Sequence, residues 1–461
     1  MKKIDGFKTP HWWQTLQFVL NKVGYLGAAK ERYGGEIFTT RVFSGDPAVF
    51  ISNPEVIKEL FTTHSKHLQL DNKLTNFRRP IMGENSIFLL EGEQHDRYRK
   101  LLMPIFRPDR IKVYGQMISE TTKKVIDKLP TDKVFSPLNA TNEITLNLIM
   151  DIVFGWSDRE RGEQFRKVLL KLEKDVRFVP IIYASFFPSL QWNLGPWSPW
   201  GFLIETRKQM DRLIHAEIQA RRQQPETDRH DILSLLLLAR DEDGQQMNDS
   251  ELLDNLRTLL LAAHGTISGA MAWSWYWVHK YPEVRDRLIE EIASLGESPD
   301  PIAIYQLPYL TAVCNEILRL YPPDPVTTVG AKRVIEPFEL MGYKFEPGMF
   351  VCACIKMLHY REDVYPEPDK FNPERFIEQK FSPYEYMPFG VGARRCIGQA
   401  LAQFELKLVL TTIVSSYQLE LADNKLPRSF PPGTEVAPLT KMLKKSFRQN
   451  SQPNKALIEV G

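Results

Sequence analysis

Cys396 is the residue around which chemistry can be built. It sits in Phe389-Gly390-Val391-Gly392-Ala393-Arg394-Arg395-Cys396-Ile397-Gly398, between a glycine-bearing loop and a run that begins at Gln399. Ile397, Leu401, Phe404 and Leu408 recur at helical spacing, so the run predicts a helix with an apolar face and Cys396 near its N-terminus. The positive end of the helix dipole and the free N–H groups there favour a thiolate over a thiol. Gly392 and Gly398 let backbone come close to whatever the sulfur binds. Arg394 adds a fixed positive charge nearby. A lone anionic sulfur so placed suits a soft or borderline metal, haem iron among them. The plainer alternative is a buried cysteine at a loop-to-helix junction.

Three further groups could serve such a centre. Residues 91–106 read as helical, and His95 and Arg99, four apart, share a face. That face is either a solvated basic surface or a pair of donors to an anionic group. Ser250 to Lys280 predicts one long apolar helix, with Glu251 and Asp254 loading its first turns with negative charge. Its middle, Ala262-Ala263-His264-Gly265-Thr266-Ile267-Ser268-Gly269, is unusual for a helix interior. Each glycine costs about 1 kcal/mol there against alanine. Thr266 can turn its hydroxyl onto a carbonyl one turn back and open the helix locally. Such a segment points to a close neighbour or a functional bend. Glu316 and Arg319 stand one turn apart on a helix ended by Pro322-Pro323; in isolation they would be an exposed ion pair of little worth.

The elements that must hold these groups are mostly helical. Residues 110–155 and 160–176 read as helices, and Asp231 caps another. Residues 35–52 alternate as a hairpin, and Asn53-Pro54 opens a short helix through Phe61. A second hairpin is expected from Phe338 to Gly348, and a third, with its tip reaching inward, around Phe430 to Leu439. The interval 177–203 is dense in aromatics and broken by prolines, which precludes a single long helix. Cys352 and Cys354 on a strand point to one face, near His359 in sequence; core cysteines are the simpler reading, a metal site the alternative.

In bulk, the 461-residue chain is 43% apolar, enough for a large core. Lys plus Arg (59) nearly cancels Asp plus Glu (57), so no global field draws in nucleic acid or an anionic membrane. Four irregularly spaced cysteines do not make a secreted disulfide framework, and a cytoplasmic setting fits better. Trp12 to Leu20 is too short and too polar to span a bilayer and lacks a cleavage site, so neither a transmembrane segment nor a signal peptide is expected. Trp12, Trp13 and Phe18 pack on the body or touch a membrane surface. The polar tail from Lys444 is expected to be loose.

The spacing Phe-x-x-Gly-x-Arg-x-Cys-x-Gly at 389–398 resembles the haem-binding loop of the cytochrome P450 family. The resemblance covers roughly 10–445, with its motifs in the family's order. It implies a mainly α fold with small β-sheets, one haem-thiolate domain over 1–461, with about 1–30 and 445–461 peripheral. It implies haem b (iron protoporphyrin IX) between the Thr266 helix and the Cys396 loop, with Cys396 as the axial ligand. Phe389, Gly390 and Gly398 would shape the sulfur side; His95, Arg99 and Arg394 would hold propionates, with Lys332 or Arg333 as a further donor. Glu316, Arg319 and Arg375 of Phe371-Asn-Pro-Glu-Arg-Phe376 would form a buried Glu-Arg-Arg network behind the cysteine loop.

The central helix departs from the family pattern Ala-Gly-x-Asp/Glu-Thr-Thr/Ser. Ala263 replaces the glycine, Gly265 the acid and Ile267 the second hydroxyl residue, while Thr266 is retained. Proton delivery would then run through Thr266 and water, with help from His264. The resemblance is to soluble, cyanobacterial-type members, and implies a monooxygenase that hydroxylates an apolar substrate such as a fatty acid or terpenoid beneath an aromatic lid at 177–203. Electrons would come from a separate ferredoxin and its reductase, docking on Arg394, Arg395 and Lys407, to a monomer. Gly265 keeps open a haem-thiolate isomerase, dehydratase or peroxide-driven enzyme; a non-catalytic haem sensor is the third class.

Overall fold

The alternating stretch near the N-terminus forms the expected antiparallel pair, β1 (Ile37–Thr40) and β2 (Ala48–Ile51), with Ile37 opposite Ile51 and Thr40 opposite Ala48. The computed structural model describes residues 3–447 except 43–44, 71–77, 156–159, 224–228, 327–330, 424, 426, 428 and 431–436. Three strands complete this sheet: β3 (Leu68–Leu70), β4 (Lys332–Val334) and β5 (Phe350–Ala353), in the order β1-β2-β5-β4-β3. Only β2 and β5 run parallel. Every residue of β2 and β5 is buried, because separate apolar clusters cover the two faces of the sheet.

The rest is helical and builds the main core. The helices that matter for the site are α1 (Gly92–Leu102), α2 (Pro137–Phe154), α3 (Glu160–Val176), α4 (Pro199–Gln223), α5 (Asp249–Lys280), α6 (Pro308–Leu320) and α7 (Gln399–Ser416). The 32-residue α5 is the central beam, packed against α2, α4, α6 and α7. A capping box fixes its start: the Asn248 side chain accepts from the Glu251 N–H, and the Glu251 carboxylate accepts from the Asn248 N–H. The helix therefore begins before the Ser250 expected from the sequence. It also runs unbroken through Gly265 and Gly269, so the expected local opening at Thr266 is absent.

The run 110–155 is likewise not one helical unit. A helix at Gly115–Asp127 ends, Val134–Phe135 pairs with Leu443 and Met442, and α2 starts after a Ser136 cap. The paired strand, Met442–Phe447, corrects the expectation of a loose tail from Lys444. Lys444 is buried, and its Nζ donates to the carbonyls of Ile126, Asp127 and Leu129, which a helix end leaves unpaired.

Other expectations hold. Pro54–Phe61 is helical and capped by Asn53, Phe338–Leu340 pairs with Tyr343–Phe345, and Asp231 caps Ile232–Leu238. Ser429–Phe430 pairs with Ala437–Pro438, while the expected tip at 431–436 lies outside the described residues. The first helix, His11–Leu20, buries Phe18 and leaves Trp12 and Trp13 exposed. Among the described residues, no helix is long and apolar enough to cross a membrane.

Candidate active site

The Cys396 loop folds back on itself before α7. Gly390 and Gly392 adopt φ values of 69° and 67°, where an L side chain is strained. The Cys396 N–H donates to the Phe389 carbonyl at 2.9 Å, and the Arg395 N–H to the Gly392 carbonyl at 3.1 Å. Burial pushes the Cys396 thiol up, while the Gly398 N–H, Arg99 and Arg395 pull it down; burial prevails. A bound metal would add a further positive charge that favours the thiolate. Cys396 itself is exposed. A Cβ built on Gly398 would meet nothing within 4 Å.

Two arginines and a buried histidine gather beside this loop. The Arg394 guanidinium donates to the Ile87 carbonyl at 3.0 Å and to that of Leu90. Arg99 donates to the Arg395 carbonyl at 2.9 Å. Buried His95 is pushed down by burial and then by the Arg394 charge, with a smaller push from Arg99, against the pull of Asp96. Burial also lowers Arg99 and Arg394. The residues held against one another here cost free energy that an anion would offset. An exposed cysteine beside an uncrowded Gly398, with Arg99, Arg394 and the buried His95 close by, fits a haem with two propionates.

The strand candidates divide. Arg333 turns to Asp46 (2.9 Å) and the Gly348 carbonyl (2.9 Å), over the Phe350 ring. Lys332 points the other way, as alternation along β4 requires, and pairs with Glu91, whose charge also acts on Arg394. Of the two, Lys332 is the one that joins the cation cluster.

On α5, exposed Thr266 donates its hydroxyl to the Ala262 carbonyl at 2.7 Å, with the Ala263 carbonyl at 3.1 Å. Its lone pairs remain available to water. His264 is turned into the core. Its Nδ1 meets both Glu173 oxygens at 2.8 Å, and its Nε2 the Asn142 carbonyl at 3.1 Å. The ring thus ties α5 to α3 and α2 and is remote in orientation from Thr266. Gly265 has a neighbour no sequence pattern marks: a Cβ there would lie 1.8 Å from Arg177 Nη2. Arg177 follows α3, at the start of the aromatic interval, and its position opposite Gly265 depends on how α3 and α5 pack.

Behind the loop, Glu316, Arg319 and Arg375 come together. Arg319 grips Glu316 with Nε (2.6 Å) and Nη2 (2.8 Å), and Arg375 Nε reaches Glu316 at 3.1 Å. All three are buried, so the pair is not the surface contact that Glu316 and Arg319 alone would suggest. Arg319 also donates to the His359 carbonyl at 2.7 Å. His359 extends the brace: its Nε2 accepts the Met387 N–H (3.1 Å), so Nδ1 must donate to the Arg319 carbonyl (3.1 Å). The imidazole links α6 to the residue two before Phe389. Cys352 and Cys354 are buried core residues, and the described residues hold no group of three His, Cys, Asp or Glu that could bind a metal.

Lys407 is corrected outright. It is buried, with Nζ on the Tyr305 carbonyl (2.6 Å) and Thr311 Oγ1 (2.7 Å), and so offers nothing to a docking partner. Arg395 remains exposed.

Comparison with known proteins agrees with this architecture. Residues 7–444 match the family model described as cytochrome P450. A Mycobacterium tuberculosis protein carrying the name cytochrome P450 138 is 31% identical over 431 residues, covering 93% of this chain and 92% of its own. Another from the same organism, named cytochrome P450 135B1, is 31% identical over 88% of this chain and 83% of its own. The solved structure of the cyanobacterial protein CYP120A1 with retinoic acid bound superposes with a TM-score of 0.82 at 25% identity, covering 96% of this chain and 99% of that one. Fold, family model and relatives agree: the chain belongs to the cytochrome P450 family, haem-iron monooxygenases of mainly α fold.

Proposed function

We propose that this enzyme inserts one oxygen atom from O2 into an apolar substrate, a fatty acid or terpenoid, using haem b held by Cys396. The observation that carries the reading is the pairing of two exposed residues on buried, mutually packed elements: Thr266 on α5 and Cys396 ahead of α7. When bound, the haem supplies oxygen activation, and the chain supplies position and protons. His95, Arg99 and Arg394 would hold the propionate edge, with the Lys332–Glu91 ion pair beside them. Phe389 flanks the sulfur, and the Glu316–Arg319–Arg375–His359 brace keeps its loop rigid. Thr266 keeps its donor on the helix carbonyls and accepts from water, so water carries the two protons that release of one oxygen atom as water requires. The apolar residues of 177–203 and the retinoic acid bound by the cyanobacterial neighbour support a greasy substrate. Two electrons come from a ferredoxin with its reductase, the reduced partner meeting the face around Arg395, in a cytoplasmic monomer.

A second reading stands on Gly265. With no acid there and Arg177 in the way of any side chain, proton delivery is weakened, which favours peroxide-driven or rearrangement chemistry. Turnover with matched oxidants separates the two. Product with ferredoxin, reductase and O2 is the expected result. Product only with hydrogen peroxide, or with no oxidant at all, would replace the monooxygenase reading.

A further inference from the structure

The middle of α5 ought to be its weakest part, yet the helix is unbroken there. Gly265 and Gly269 lower helix propensity. The Thr266 hydroxyl turns back on the Ala262 and Ala263 carbonyls at 2.7 and 3.1 Å, and the Ser268 hydroxyl on that of Gly265 at 3.2 Å. Such back-bonding competes with the helical ladder. From Leu261 to Ile267, His264 alone is buried, at 2% exposed. The other side chains of this stretch supply little packing to hold it.

On either side α5 is well fastened. Thr258 donates to Ser86 Oγ at 2.8 Å, and Trp273 stacks on Tyr321 with ring centres 3.5 Å apart. Between these points, among the described residues, the side chain that bonds across to other helices is that of His264. One rigid ring reaches two of them: Nδ1 meets Glu173 of α3 at 2.8 Å, and Nε2 the Asn142 carbonyl of α2 at 3.1 Å. Its partner helix is itself held, because Thr206 of α4 donates to Asp175 at 2.7 Å and Arg161 reaches Glu217 at 3.5 Å. Two residues along a helix is about 200° around its axis. His264 therefore grips the back of the turn whose front presents Thr266.

We propose that His264 is a positioning residue. By holding Glu173 and Asn142 it fixes the rotation of the 262–266 turn, and with it the Thr266 hydroxyl. It thereby sets how much of the O2 consumed ends in product. This rests on the role proposed for Thr266 in oxygen insertion. In the productive reaction two electrons and two protons leave one oxygen atom in the substrate and one in water. With the hydroxyl displaced, the same electrons and protons leave with both oxygen atoms as hydrogen peroxide.

The test compares His264→Phe, a ring that bonds to neither partner, with His264→Gln, whose amide can reach one of them. Amide hydrogen exchange of the haem-loaded full chain without substrate is read first, since it does not depend on turnover. Exchange at 262–268 in His264→Phe is expected to rise about 10- to 100-fold, as for lost hydrogen bonds to buried groups. Exchange at 250–257 and 271–278 should stay as it was, and His264→Gln should fall between. In ferredoxin-driven turnover of a fatty acid, His264→Phe should raise the ratio of hydrogen peroxide to product by roughly 10-fold or more, with KM little changed. A merely structural role would lower the melting temperature and haem content but leave that ratio, per haem, where it was. In a Thr266→Ala background His264→Phe should add nothing further to the ratio. Should His264→Phe not fold, His264→Gln and Glu173→Gln carry the same comparison. Unchanged exchange at 262–268, an unchanged ratio, or an effect that adds in full to that of Thr266→Ala would overturn the proposal. Absence of product from the unmodified protein would instead remove the monooxygenase reading, and hydrogen exchange would still decide whether His264 holds the turn.

Discussion

His359 shows how one side chain can be half legible. The sequence places it near Cys352 and Cys354, which invites a metal site; the fold instead makes it a neutral link between α6 and the cysteine loop. No local pattern could reveal this, since its partners lie 40 and 28 residues away. Burial, with the Arg319 charge, pushes its pKa down to about 3 from the ordinary 6.5. The unfolded chain therefore binds a proton below about pH 6.5 that the folded chain refuses. Stability from this group is lost as pH falls from 6.5 toward 3, and urea unfolding of His359→Asn should be less pH-dependent across that window. Glu405 acts with the opposite sign: burial raises its pKa from the ordinary 4.5 to about 8. The folded chain keeps a proton that the unfolded chain releases, so stability falls as pH rises from 4.5 to 8. Glu405→Gln should flatten that fall and stabilise the protein at pH 8 by the order of a few kcal/mol. Cys396, by contrast, was legible in full as a motif.

At the scale of elements, α5 does more than present Thr266. Asn255 accepts the Ile87 N–H at 3.1 Å and donates to the Asn85 carbonyl at 2.9 Å, while Asp254 accepts the Asn85 N–H at 2.9 Å. These bonds hold residues 85–90 where the Ile87 and Leu90 carbonyls receive Arg394. Asn255→Ala leaves a buried N–H unpaired, which should cost about 1–3 kcal/mol and hasten haem loss, measured by thermal unfolding and by transfer of haem to an acceptor protein. Arg319→Ala leaves Glu316 buried without its main partner and should cost about 3–5 kcal/mol, read from urea unfolding. Helical periodicity revealed α5 and α6 as elements. It could not reveal the capping box at Asn248, nor that 85–90 would fasten to α5, because that contact spans some 170 residues.

At the scale of the molecule, fold class was the most legible feature: helical runs, three hairpins and ordered motifs suffice to state it. Surface properties were not, because exposure depends on every element at once. Lys407, on an apolar helix, reads as a solvent-facing cation and is in fact buried under α6 and Tyr305. Charge reversal should divide accordingly: Arg395→Glu should slow reduction by an acidic ferredoxin, more at low salt than at high, while Lys407→Glu should lower the thermal midpoint. Stopped-flow reduction and a melting curve check the two. The central claim is that Cys396 and Thr266 serve oxygen insertion without an acid at residue 265. Turnover of fatty acids and sesquiterpene acids under isotopically labelled O2, with a ferredoxin system and mass spectrometry of the product, tests it most directly. One labelled oxygen atom per product molecule is the result predicted here; a product that carries no label would contradict it.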